Sequence, residues 1–453
     1  MAPMHPDAPD GVTSPTPDDG GRRTVEDLLA DRLRQLGVRR TYGLAIRGLD
    51  HVPVDDPDVA VLLADADGRL GHDDGSGRLG AAALAGPILH LSSAPGGTAP
   101  LQTIGSVEEL VEALADPPGL ALPGTSALHL DLDLHEPLDH DPVPESGVER
   151  VPVLVLGRSL AGLRILVLAG PGVVRTYSHV GLRNLTRAAG SPVLSTFGAI
   201  GLERWDSPYH AGVGGLQAGD LALGGLDDAD LVIATGLDPA EVPADRLSRL
   251  VLQEVAPRQL GALLRDWPAQ GPEPEGRSSV RDVLAPVLRP LWESSGPPLT
   301  AARAALHLSG ALPDRGVAVA DPGPAGFWVA RAMPSSFPGA VCVPATVEPG
   351  FAAAAAVVAS LDGRPCLAVT DAEGVGSDAT AAVLDLARGR GIPVALQVWG
   401  TDGDAIDADG HVALLSDLLA PGADTVRVAS VAVDLSLPDE LVDLAGPVVA
   451  WGS

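Results

Sequence analysis

The chain reads as an α/β protein built from three parallel-sheet domains, and three observations predict this. Short apolar runs lead repeatedly through glycine-containing turns into amphipathic stretches, the βαβ rhythm that calls for a parallel sheet. The length, 453 residues, corresponds to roughly three domains at ~150 residues each. Two stretches rich in proline and polar residues, 136–150 and 268–300, divide the chain. The expected units are residues 24–150 (a domain and its linker), 151–267 and 301–453, after a disordered tail over 1–23 rich in Pro, Asp and Gly.

Composition narrows the function classes. Hydrophobic residues make up 45% of the chain, as in a soluble globular protein. The formal charge is 30 − 59 = −29, a field that repels phosphate backbones and anionic lipid, so neither nucleic acid nor a membrane surface is an expected partner. The sequence contains no lysine; Schiff-base chemistry, pyridoxal-phosphate anchoring and the P-loop lysine are excluded together. The two cysteines, Cys342 and Cys366, sit in apolar runs and read as small buried hydrophobes of a reducing cytoplasm. No run reaches the ~18 apolar residues of a membrane span, and the N-terminus carries no basic-then-apolar signal pattern.

The elements follow in order. Thr24, with Asp27 three residues on, caps a helix to Leu36 whose Val25, Leu28, Leu29, Leu33 and Leu36 share a face. Gly37 ends it, and Val38–Leu44 reads as a strand. Val59–Ala64 and Pro87–Ser92 read as strands, and Val107–Leu114 as a helix. The alternating run His129–His135 reads as a strand with His129, Asp131, Asp133 and His135 on one face. That face is either solvated or a metal site, although residues two apart on a strand are spaced widely for one ion. In the second unit, Arg164–Ala169 is a strand, Gly170-Pro171-Gly172 a turn and Thr176–Ala189 a helix; Pro192–Phe197 and Ala229–Thr235 are strands. Arg175 stands where a dinucleotide fingerprint wants a small residue. In the third unit the strand Val317–Ala320 precedes a helix over Gly350–Ser360. The run Pro365–Val369 then enters the acidic turn Thr370-Asp371-Ala372-Glu373-Gly374, and a helix over Asp378–Arg388 leads to the strand ending at Val398. Carboxylates at the end of a buried strand are where such a fold holds a divalent metal and a diphosphate. Ser92-Ser93 form no nucleophile motif, and His179 (helix) and His210 (loop packing) read as structural.

Three pieces in order resemble the central domain of acetolactate synthases, members of the thiamine-diphosphate enzyme family: Leu168–Val173, Pro192–Gly201 and Asp228–Gly236. Leu36-Gly37-Val38 followed by Tyr42-Gly43 is similar to the start of these enzymes. The acidic turn resembles the family's cofactor loop, Gly-Asp-Gly followed by Asn-Asn about two dozen residues later. Here Ala372-Glu373-Gly374 is followed, after 24 residues, by Trp399-Gly400. The resemblance implies an N-terminal domain for the aminopyrimidine, a C-terminal domain for the diphosphate and Mg²⁺, and a site between two subunits. A glutamate there drives ylide formation, and the cofactor acts as the electron sink. By position it implies Asp321, Gly323, Gly350 and Gly374 as cofactor contacts, Asp371, Glu373 and Asp402 as metal ligands, and Asp65 or Asp67 in place of the glutamate.

The sequence departs from the family where the cofactor is held. The polar Gln-His-Gln reads Pro324-Ala325-Gly326, the cofactor prop aligns with Pro349, and the second metal ligand falls on Trp399 or Gly400. The N-terminal unit lacks several tens of residues after Gly97. These departures favour a non-catalytic relative that acts by binding or assembly, as a homodimer or paired with an intact paralogue. The alternatives are an active 2-oxoacid decarboxylase or carboligase with an altered site, and a small-molecule or nucleotide binder using the central crevice. FAD, which a subset of the family holds there, is not expected.

Overall fold

In this computed structural model the described residues are 22–94, 100–139, 142, 162–247, 252–263, 279–346, 348–420 and 425–452. The tail over 1–21, the segment after Gly97 and most of the first linker lie outside them. Seventeen strands form three sheets among the described residues. The first holds β1 (Arg40–Gly43), β2 (Asp50–Pro53), β3 (Gly80–Leu84), β4 (Ile88–Ser92), β5 (Leu101–Ile104) and β6 (Thr125–Leu130). The second holds β7 (Ile165–Ala169), β8 (Val193–Thr196), β9 (His210–Gly214), β10 (Leu231–Thr235) and β11 (Leu252–Glu254). The third holds β12 (Leu299–Thr300), β13 (Val317–Ala320), β14 (Val341–Cys342), β15 (Cys366–Asp371), β16 (Val394–Gly400) and β17 (Val426–Asp434). Their orders are β2-β1-β3-β4-β6-β5, β11-β10-β7-β8-β9 and β12-β17-β16-β15-β13-β14. The second and third sheets are parallel throughout; in the first, β4 runs antiparallel to both neighbours.

The opening helix, Val25–Gln35, forms where its pattern places it. Thr24 and Asp27 make the reciprocal capping box, and Val25, Leu29 and Leu33 are fully buried. The run Val59–Ala64, expected as a strand, lies instead in the helix Pro57–Leu70. Asp56 accepts hydrogen bonds from the N–H groups of Asp58 and Val59, and Pro57 presets the first turn. One side of this helix covers β3 and another meets the helix Phe351–Leu361, so it is apolar nearly all round and shows no helical period. The alternating run also differs from expectation. Its strand ends at Leu130, and Asp133 turns to accept the His135 N–H (2.9 Å) while Leu132 and Leu134 pack against the first core. The proposed His/Asp face does not form.

The three units share their cores. Phe351–Leu361 is alanine-rich, and these small side chains let the helix Pro57–Leu70 approach closely, joining first and third units in one apolar cluster. The stretch expected as a second linker holds the helix Val280–Glu293, capped by Ser279, whose Leu284 and Leu288 are buried in the core shared by second and third units.

Candidate functional site

In the third sheet the chain leaves β13 toward the edge strand β14 and returns to lay β15 on the other side of β13. The carboxyl ends of β13 and β15 therefore flank a topological switch point, where open α/β sheets hold ligands. A cavity of about 570 Å³ lies there, lined by Asp321 and Gly323 after β13 and by Asp371, Glu373 and Gly374 after β15. Pro349, Phe327, Leu435 and Trp451 supply part of its apolar wall. A second cavity of about 590 Å³ shares Asp371 and Glu373 and extends past Trp399, Asp402 and Asp434.

The acidic turn is locally determined. Asp371 caps the short helix Ala372–Val375, its Oδ1 accepting from the N–H groups of Glu373 (3.1 Å) and Gly374 (3.0 Å). A Cβ at Gly374 would lie 2.0 Å from Thr370 Oγ1 and 2.9 Å from Asp321 Oδ2, so only glycine fits. Gly323 adopts a φ of 127°, and a Cβ there would lie 3.7 Å from Asp371 Oδ2. Asp321 is buried; it accepts from Thr370 Oγ1 (2.5 Å) and from the N–H of Ala352 (2.7 Å), at the start of the helix Phe351–Leu361. Burial pushes its carboxyl up to about 6, the two hydrogen bonds oppose this, and the nearby Asp371 charge adds to it.

Of the sequence-derived candidates, Asp321, Gly323, Asp371, Glu373 and Gly374 meet at this cavity. Gly350 does not line it. Its φ of 89° starts the helix Phe351–Leu361, and a side chain there would press on Ala379 and Thr380. Asp402 lines only the second cavity. Its loop is held on β17 by the Asp404 N–H to Ser430 carbonyl bond (3.0 Å) and by Gly403, where a Cβ would meet the Val431 backbone at 2.3 Å. Asp371, Glu373 and Asp402 form no metal-binding group, and no group of three His, Cys, Asp or Glu suited to a metal occurs among the described residues. Trp399 is fully buried, its indole N–H donating to Gln397 Oε1 (2.9 Å).

Asp65 and Asp67 are not strand-end carboxylates. Both lie in the helix Pro57–Leu70 and neither lines the cavity. Asp65 meets His90 Nε2 (2.8 Å); Asp67 accepts from the Tyr42 hydroxyl (2.8 Å) and pairs with Arg78. The acids that follow β2 are Asp55 and Asp56, both exposed, and Asp56 is the helix cap. His210 opens β9 rather than a loop, and burial lowers its imidazole to about 4. His179 begins the helix His179–Ala189 and stacks edge-on against Tyr177.

Sequence reasoning missed the C-terminal wall. Trp451 is held at a φ of 61°, donates its indole N–H to the Pro344 carbonyl (2.8 Å) and packs on Phe197 of the second unit. No local motif marks it, because its position depends on contacts more than 100 residues away along the chain, such as Pro344 (separation 107).

Residues 161–261 match the family model described as the thiamine pyrophosphate enzyme central domain. An X-ray structure of a candidate thiamin diphosphate-dependent enzyme from Mycobacterium smegmatis aligns over 91% of this chain and 100% of its own, with a TM-score of 0.57 and 14% identity. The fold is that of the thiamine-diphosphate enzymes. The matched segment is the second sheet and its helices, and the switch-point cavity lies in the third unit. No curated protein matches the chain.

Proposed function

We propose that the chain is a non-catalytic binding protein on the thiamine-diphosphate-enzyme fold, one that does not hold Mg²⁺–thiamine diphosphate. The observation that carries this reading is the use of the backbone donors at the switch point. A diphosphate in such a crevice is met by N–H groups at helix starts. Here those of Glu373 and Gly374 are taken by Asp371, and that of Ala352 by Asp321. The ionisable residues lining the cavity, Asp321, Glu348, Asp371 and Glu373, are all acidic, so an anionic ligand is opposed by charge as well. Mg²⁺ needs near-octahedral oxygen ligation, and Trp399 and Gly400 offer no side-chain oxygen at the position aligned with the second metal ligand.

The cofactor therefore does not fit the residues present, and no catalytic step is assigned to it. A cavity of this size, mostly apolar with a few carboxylates, suits a neutral or cationic small molecule. Pairing with a second copy or with an intact paralogue belongs to the same proposal.

The test is calorimetric titration of thiamine diphosphate with Mg²⁺ into the folded full-length chain. The expected outcome is no saturable heat. Saturable binding that disappears in Glu373→Ala would instead support the decarboxylase or carboligase reading, which Glu373 favours by standing at the cavity rim on the metal-loop position.

A further inference from the structure

The three units also meet at a point outside the lining of the switch-point cavity. Arg175, at the end of the short helix Pro171–Arg175 in the second unit, is driven into the first. Its Nη1 donates to the Gly68 carbonyl (2.8 Å) and its Nη2 to the carbonyls of Arg78 (2.7 Å) and Gly119. It is 7% exposed, its Nε has no hydrogen-bond partner, and among the described residues no carboxylate pairs with it. The neighbouring cations have their own partners. Arg69 pairs with Glu241 (3.3 Å), and Arg78 with Asp67 and Asp362. Arg364 donates to the carbonyls of Arg315 and Gly339. Cys342 lies among these arginines, but burial pushes its thiol up, so it supplies no negative charge.

Among the described residues Arg175 is thus a desolvated cation satisfied only by neutral acceptors, with no counter-charge. Burial and the adjacent Arg69 push its guanidinium down to about 9, the direction expected when a counter-charge is missing. Beside Arg175 and Arg69 lies a cavity of about 30 Å³. All three units wall it, through Gly75, Val174, Gly198 and Val341 among others. The walls have little slack: a Cβ at Gly75 would lie 2.7 Å from the Pro338 carbonyl oxygen. The space is far smaller than an organic-ligand pocket, which suits a small inorganic anion.

We infer that a small monovalent anion of the size of chloride binds at this junction, between the guanidinium groups of Arg175 and Arg69, and fastens the three units together. A ligand bound only by the native state raises stability with its own concentration. The full-length chain is therefore melted in increasing chloride at constant ionic strength, with gluconate as the replacement ion. The expected result is a saturable rise in melting temperature of a few degrees in chloride, reproduced by bromide. Crystals grown in bromide should show an anomalous peak beside Arg175 and Arg69. The Arg175→Met variant should lose the chloride dependence; if it does not fold, the bromide peak in the parent protein decides. Equal melting in chloride and gluconate, or a bromide-free cavity holding water, would overturn the inference.

Discussion

At the scale of single residues, the switch-point site is governed by which groups claim its hydrogen-bond donors. Asp321 and Asp371 satisfy the starts of two helices from within the chain, and Gly374 leaves room for both Thr370 and Asp321. The latter dependence is testable. Gly374→Ala forces a Cβ against Thr370 Oγ1, whose hydrogen bond to Asp321 must then break or shift. The variant should lose about 1–3 kcal/mol of stability, read as a lower urea midpoint with an unchanged m value.

At the scale of elements, two helices of the third unit are joined through a buried polar chain. His307 on Ala301–Ala311 and His411 on Ala408–Leu419 meet Nδ1 to Nδ1 at 2.9 Å, and His411 Nε2 meets the Gln397 amide (3.1 Å). Gln397 in turn holds Trp399. Two facing Nδ1 atoms share one proton only when at least one ring is neutral. Burial lowers both imidazoles to about 4, with Arg303 reinforcing this for His307 against Asp409, and His307 reinforcing it for His411. Because the folded-state values lie below the ordinary histidine value of 6.5, the unfolded chain binds more protons between about 4 and 6.5. The pair's contribution is complete above that window and is lost as pH falls through it. Asp321 and Glu241, raised by burial to about 6 and 7, work in the opposite sense, gaining protons in the folded state first. The imidazole NMR signals of His307 and His411 should accordingly stay neutral down to pH ~5. Titration near 6.5 would contradict the buried pairing.

At the scale of the whole molecule, the first and third units are tied by charge as well as by the alanine-rich helix. Asp362 of the third unit meets Arg40 (2.5 Å) and Arg78 (2.6 Å) of the first. Burial would raise this carboxyl, but the two guanidiniums hold it below the usual carboxylate range. Removing one partner of a buried pair leaves the other uncompensated and costs about 3–5 kcal/mol. Asp362→Ala should therefore destabilise the chain by about that amount, measured by denaturant unfolding. Separation of the transition into two steps would locate the loss at the junction between units.

The legibility of the chain followed the range of the interactions that decide each feature. The capping box at Thr24 and Asp27, the strands β13 and β15 and the acidic turn are set by neighbours in sequence, and each forms where its residues indicate. The run Val59–Ala64 misleads because a helix buried on two sides is apolar on both, which erases the helical period. Asp65 and Asp67 were displaced from a site role with it. The alternating run after Leu130 misleads because Leu132 and Leu134 reach a core without any partner strand.

By itself the sequence determined the α/β class, the βαβ order and the absence of lysine chemistry, because composition, local periodicity and turn chemistry encode these; Asp321, Gly323, Asp371 and Gly374 came only from the family resemblance, and the structure brings them to one cavity. Only the tertiary structure decided that Asp371 and Asp321 take the helix-start donors, that Trp451 joins the cavity wall, and that Arg175 is buried with no carboxylate partner among the described residues. Those outcomes depend on which distant segments fold against each residue, and no local pattern carries that information.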